Sequence, residues 1–179
     1  IKQHRIGLFR QQDEFLRDLA LNVGAATGRG GGKSYVGAAK GLKYVSEHPG
    51  SLGIITAPSY STLRDATLPS VRSVWPEAMT KGFHPSSNSL TVPNGSEVLL
   101  RTTDDPGLLR GPNAAWVWMD EAPYSSHEAF QVLQGTLRQA GHPHQMWLTG
   151  TPRGYTWFYD EFAKVKRANY SLHHWSARD

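Results

Sequence analysis

Four short runs of apolar residues recur along the chain without the polar alternation of a strand that shows one side to water. They are Asn22-Val23-Gly24-Ala25-Ala26, Leu52-Gly53-Ile54-Ile55-Thr56-Ala57, Trp116-Val117-Trp118-Met119 and Gln145-Met146-Trp147-Leu148-Thr149. Each is too short for a stable helix, and a run apolar on both faces belongs to a strand buried on both faces. Helical patterns lie between them. Gln11–Leu21 sets Phe15, Leu16 and Leu19 at helical spacing, and a helix from Lys33 to about Glu47 is stopped by Pro49-Gly50. Ser61–Val74 reads as a helix bent or interrupted at Pro69. Ser125 or Ser126 caps a helix to about Ala140 with Glu128 in its first turn, and a helix over Trp157–Lys166 precedes a last strand, Tyr170–Trp175. Ser89–Val92 and Glu97–Arg101 flank Pro93-Asn94-Gly95, the turn chemistry of a hairpin. The pattern predicts an α/β fold: a mostly parallel central sheet flanked by helices, with an extra β-hairpin. Ligands of such sheets bind at the carboxyl ends of the strands.

The bulk properties narrow the partners. A chain of 179 residues, 39% hydrophobic and 19% charged, supports one domain with a full core and argues against disorder. No apolar run approaches the roughly 20 residues of a membrane helix, and no basic-apolar leader opens the chain. The first residue is Ile1, so the chain reads as trimmed or partial. Cysteine is absent, which excludes disulfides and thiolate metal sites and fits a cytosolic protein. The net charge of +4 is uneven, with 11 Lys/Arg against 6 Asp/Glu in residues 1–90 and 8 against 9 in residues 91–179. A basic balance is compatible with nucleic acid and equally with a basic protein that has no polyanionic partner.

Chemistry concentrates at three strand ends. Gly28-Arg29-Gly30-Gly31-Gly32-Lys33-Ser34 stands between the first strand and the next helix. Glycines let backbone N–H groups turn toward phosphate oxygens, and the helix N-terminus adds partial positive charge. Lys33 can reach the β- and γ-phosphates of ATP and the Ser34 hydroxyl can ligate Mg²⁺. The usual phosphate-loop pattern would place glycine at position 27, where this chain has Thr27. At the end of the third apolar run, Asp120 can hold Mg²⁺ through its water shell and Glu121 can polarise the attacking water. Thr149-Gly150-Thr151-Pro152 closes the fourth run, and Thr151 there can sense the γ-phosphate.

Together these motifs resemble the ATPase domain of the terminase large subunit, the DNA-packaging motor of tailed bacteriophages and related viruses. Gly28–Ser34 is similar to that family's arginine-bearing Walker A, which accounts for Thr27. Trp116–Ala122 is similar to its Walker B, and Thr149–Gly154 with Trp157-Phe158-Tyr159 to its coupling motif. Thr56-Ala57-Pro58-Ser59-Tyr60 and Leu109-Arg110-Gly111 are further family-like segments, and the resemblance runs from about Phe9 to Asp179. It implies a RecA-like (ASCE) P-loop NTPase fold over 1–179 and ATP hydrolysis that drives double-stranded DNA into a procapsid. Gln11 or Gln12 would contact adenine, Arg29 would sit by the phosphates, and Arg110 would be an arginine finger reaching a neighbouring subunit's ATP, with Arg101 a weaker candidate. A loop arginine paired with Asp104 or Asp105 is the competing reading of Arg110. The implied partners are duplex DNA, portal protein, small terminase subunit and copies of the chain in a ring, in the cytoplasm of the infected host and without a membrane. The family's C-terminal nuclease domain has no counterpart here, and Ser176–Asp179 reads as the start of its linker. A helicase-like DNA-dependent ATPase and an assembly module that binds nucleotide without turnover are the alternatives; the Asp120-Glu121 pair argues against the second.

Other residues read as structural. His142/His144 and His173/His174 lack a third ligand at metal spacing. Ser125-Ser126-His127 reads as a helix cap rather than a nucleophile, and the tryptophans as core. Lys81, Arg64, Arg72 and Arg101 could line a DNA path by phosphate contacts.

Overall fold

The computed structural model describes residues 6–176; of the expected linker start, 177–179 lie outside them. One eight-stranded sheet has the order β3-β4-β5-β2-β6-β7-β1-β8. Its strands are β1 (Asn22–Thr27), β2 (Leu52–Ala57), β3 (Phe83–His84), β4 (Ser89–Thr91), β5 (Glu97–Thr102), β6 (Trp116–Met119), β7 (Gln145–Gly150) and β8 (Tyr170–Trp175). β5 through β8 in that order pair in parallel. β4 pairs antiparallel with β5, and β3 with β4. Because β5 also pairs with β2, the segment read from sequence as an added hairpin supplies a strand of the main sheet and a short antiparallel wing beyond it. β3 was not visible in the sequence.

The sheet has helices on both faces. Helices α1 (Arg10–Arg17), α2 (Lys33–Glu47) and α4 (Leu68–Val74) cover one. There Phe15, Val36, Val45, Val71 and Val74 pack with Trp116, Trp118 and Trp147. Helices α6 (His127–Thr136) and α7 (Trp157–Tyr159) cover the other, where Phe130, Leu133, Phe158 and Phe162 meet Ile54, Val117 and Leu148. Gly37 of α2 is a contact glycine: a Cβ there would stand 2.5 Å from the Trp118 ring, so the smallest residue lets the helix sit down on the bulkiest strand.

Several expected helix limits are moved by tertiary contacts. α1 stops at Arg17 rather than Leu21, because Asp18 turns extended and its carbonyl accepts from Lys40 Nζ at 2.6 Å. α6 stops at Thr136 rather than near Ala140, where Leu137 bridges to Ala114. Its cap is Ser126, whose Oγ accepts from the Ala129 N–H at 3.1 Å. The helix expected over Ser61–Val74 begins at Tyr60 and contains a π turn, Leu63–Thr67, between α3 (Tyr60–Thr62) and α4. Pro69 has no N–H and its ring would strike the Asp65 carbonyl of an unbroken α-helix, so the backbone widens just ahead of it. The helix expected to reach Lys166 becomes α7 and a π turn, Asp160–Lys164. A short helix α5 (Glu77–Thr80) was not anticipated.

Candidate functional site

β1 delivers the glycine loop and α2 begins at Lys33. Gly30 and Gly32 take positive φ, 78° and 68°, which turns the loop back over the helix N-terminus. Gly32 also lies under Gln12, whose Nε2 a Cβ would approach to 2.6 Å. Two donors hold the loop from outside. Gln12 Nε2 donates to the Gly31 carbonyl at 3.2 Å and Trp175 Nε1 to the same oxygen at 2.5 Å. The Thr27 hydroxyl donates to the Gly28 carbonyl at 3.0 Å, so the off-pattern threonine closes the loop at its start. Gln12 is therefore a buried brace of the phosphate loop, while Gln11 beside it is half-buried.

Between β1 and β6 lies β7, so three carboxyl strand ends meet in one place: the loop, Asp120-Glu121 and Thr149–Thr151. Asp120 is fully buried. Its Oδ1 accepts from Thr149 Oγ1 at 2.7 Å, from the Glu121 N–H at 3.1 Å and from Ser34 Oγ at 3.2 Å. Its Oδ2 accepts from Thr67 Oγ1 at 2.8 Å. Trp118 Nε1 donates to Thr149 Oγ1 at 2.9 Å and fixes that hydroxyl. Burial pushes the Asp120 carboxyl above the usual carboxylate range and the Glu121 charge adds to it; the Thr149, Thr67 and Ser34 hydroxyls pull it back. Ser34 Oγ and Asp120 Oδ1 are hard oxygen atoms side by side, a pair whose chemistry fits Mg²⁺ and that could hold it.

Glu121 has left-handed backbone, φ 50°, which swings it away from Asp120 toward the loop. Its Oε1 lies 3.1 Å from Lys33 Nζ. Glu121 also lines a cleft of about 450 Å³ with Arg29, Ser59, Thr62, Tyr124 and Thr151. That cleft holds a cation, a carboxylate and hydroxyls beside the loop. Lys33, Ser34, Asp120, Glu121, Arg29 and Thr151 are thus brought together.

The other cations are elsewhere. Arg110 is exposed in a separate groove with Glu128, Gln131 and Arg138. Its guanidinium has no partner among the described residues, so the reading that pairs it with Asp104 or Asp105 does not hold. Asp105 instead caps the Gly107 N–H and Asp104 accepts from the Thr102 hydroxyl. Arg101 is occupied, with Nη1 within 3.3 Å of the Ser87, Asn88 and Leu100 carbonyls. Of the cations expected to line a DNA path, Arg64 pairs with Asp65, Lys81 with Glu77, and Arg72 lies over Phe83. No group of three metal-ligating side chains occurs among the described residues, and no described helix is long and apolar enough to cross a membrane.

Residues 23–179 match the sequence family described as phage terminase large subunit. The chain belongs to that family. None of the curated proteins matches it. Among solved structures, the large terminase ATPase domain of Thermus phage P74-26 superposes with a TM-score of 0.76 at 21% identity, over 95% of this chain and 81% of that one. The large terminase of another thermophilic bacteriophage, in complex with ADP, gives 0.81 at 17% identity, over 95% of this chain and 46% of that one. The Hef helicase domain of Pyrococcus furiosus gives 0.59 at 17% identity, over 94% and 38%. At these identities the likeness is one of fold. This terminase chain has the fold of terminase ATPase domains, spans under half of the ADP-bound terminase, and shares its core with a helicase.

Thr67 was missed by sequence reasoning. The one signal for it is a hydroxyl at the buried position between Leu63 and Val71 on an otherwise apolar helix face.

Proposed function

We propose that this chain is the ATPase portion of a terminase motor, which hydrolyses ATP to drive double-stranded DNA into a viral procapsid. The observation that carries the reading is the convergence of Lys33, Ser34, Asp120 and Glu121 at one sheet edge in a chain of this family. The large terminase of the thermophilic bacteriophage has been solved with ADP and with ATP-γ-S, which supports nucleotide as the ligand.

The loop amides and Lys33 would take the β- and γ-phosphates. Ser34 and Asp120 would hold Mg²⁺, which supplies charge neutralisation on the phosphate oxygens. Phosphate must first win Lys33 from Glu121. That exchange frees the Glu121 carboxylate to accept a proton from water as the water oxygen bonds to the γ-phosphorus and the bond to the ADP oxygen breaks. Arg29 and Thr151 line the cleft; Arg29 would sit by the phosphates and Thr151 would couple hydrolysis to movement. Gln11 or Gln12 would contact adenine, and Arg110 would serve the ATP of a neighbouring copy in a homo-oligomeric ring. Portal protein and small terminase subunit, in the host cytoplasm, complete the setting.

Phosphate release measured with and without duplex DNA, at rising protein concentration, tests this. The expected result is Mg²⁺-dependent turnover that rises more steeply than first order in protein. No turnover under any of these conditions would refute the reading.

A further inference from the structure

Asp120 has two oxygens in unequal company. Oδ1 has three donors, from Thr149, Glu121 and Ser34, whereas Oδ2 has Thr67 alone among the described residues. Asp120 and Thr67 are both fully buried, so water does not stand in for a lost donor. The donor comes from the π turn, the widened stretch that Pro69 forces on the helix. The start of that helical stretch, Ser59 and Thr62, lines the cleft with Glu121 and Thr151. Three donors hold the oxygen that faces Ser34, and the Thr67 hydroxyl on the other oxygen sets the plane of the carboxylate, which decides how the lone pairs of Oδ1 are aimed beside Ser34.

We infer that Thr67 is a positioning residue for Mg²⁺ at this site, its hydroxyl fixing the Asp120 carboxylate with Oδ1 turned to Ser34. The inference rests on the ATPase reading above. Groups that hydrogen-bond a metal-binding carboxylate typically govern metal affinity by about 10–100-fold, so the π turn is part of the metal site although it carries no ligand.

The experiment measures binding of a fluorescent ADP analogue with and without Mg²⁺, beside thermal unfolding, for the wild type, Thr67→Val and Thr67→Ser. Valine keeps the shape and removes the donor. The wild type is expected to bind more tightly with Mg²⁺. Thr67→Val should bind like wild type without Mg²⁺ and lose roughly ten-fold or more of the Mg²⁺-dependent gain, and Thr67→Ser should recover it. If Thr67→Val does not fold, Thr67→Ala takes its place. A folded Thr67→Val or Thr67→Ala with the full Mg²⁺ gain, even with a lowered melting temperature, overturns the inference and leaves the ATPase reading intact. A folded Thr67→Ser without the gain overturns it as well. A wild type with no Mg²⁺ gain removes the metal reading and this inference together.

Discussion

Near the end of β5, Arg101 has one guanidinium nitrogen, Nη1, among three backbone carbonyls of the antiparallel wing. Arg110, a short way on in the loop before β6, stands exposed with no partner among the described residues. The sequence resemblance makes Arg110 the finger candidate and Arg101 a weaker one, and the fold gives the two different surroundings. The same contrast divides two lysines of α2. Lys40 is buried with its ammonium on the carbonyls of Phe15, Leu16 and Asp18, tying α1 to α2, whereas Lys33 stands at the loop with Glu121 as its one ion-pair partner among the described residues. A cation with several contacts to backbone carbonyls of its own chain holds structure together; one with few or none is available to a ligand or to another molecule.

The largest test of that division is Lys33→Ala, which should reduce phosphate release below detection and weaken nucleotide binding. Wild-type turnover would mean that the loop does not hold ATP. Next is Arg110→Ala. If it acts on a neighbour's nucleotide, turnover of the assembled protein should fall by about 10³-fold or more, and mixing it with the Lys33→Ala chain should restore part of the rate. One chain then offers a working loop and the other a working arginine. A mixture as inactive as its components would place Arg110 outside the reaction. Glu121→Gln should cost about 10²–10⁴-fold in turnover while binding of a fluorescent ATP analogue survives, because the change removes the proton acceptor and leaves Lys33 in place. Loss of binding and turnover together would recast Glu121 as a support for Lys33.

What could be read in advance follows the same line between local and distant causes. The limits of α2, β2 and β6 match the expectation because runs apolar on both faces, and breakers such as Pro49-Gly50, act within a few residues. Lys33, Ser34, Asp120 and Glu121 were legible because each sits at the end of such a strand or the start of the helix that follows. The end of α1 was not, since Lys40 takes its last carbonyls from another helix. Nor was Thr67, which reaches Asp120 only because a π turn and a strand end meet in space. Gln12 stood out as polar on a helix, but its use as a brace for Gly31 depends on how α1 crosses the loop. The carbonyl contacts of Arg101 depend on a loop folding back across β5.

A smaller effect concerns Lys40. Burial pushes its pKa down to about 7 from 10.5. Between those values the unfolded chain binds a proton that the folded chain has shed, so stability rises with pH across that window and the contribution is flat below it. Urea unfolding from pH 6 to pH 9 should show this slope in the wild type and a shallower one in Lys40→Met. Equal slopes would mean that the three carbonyls keep the ammonium charged throughout, and Lys40 would be a cap for α1 with no titration of its own.

Arg101→Ala should have the smallest effect. It removes contacts to the carbonyls of Ser87, Asn88 and Leu100 at a partly exposed position, worth about 1 kcal/mol in net hydrogen bonding, and touches nothing in the cleft. A melting temperature lowered by a few degrees, with turnover within about twofold of wild type, is the outcome that fits a guanidinium already committed. The informative comparison is with Arg110→Ala in the same assembled protein. If removing the carbonyl-bound arginine silenced turnover while the fold and nucleotide binding held, contacts within one chain would not separate structural cations from functional ones. The wing formed by β3, β4 and β5 would then have to reach a neighbour's site, with Arg101 leaving its carbonyls to do so.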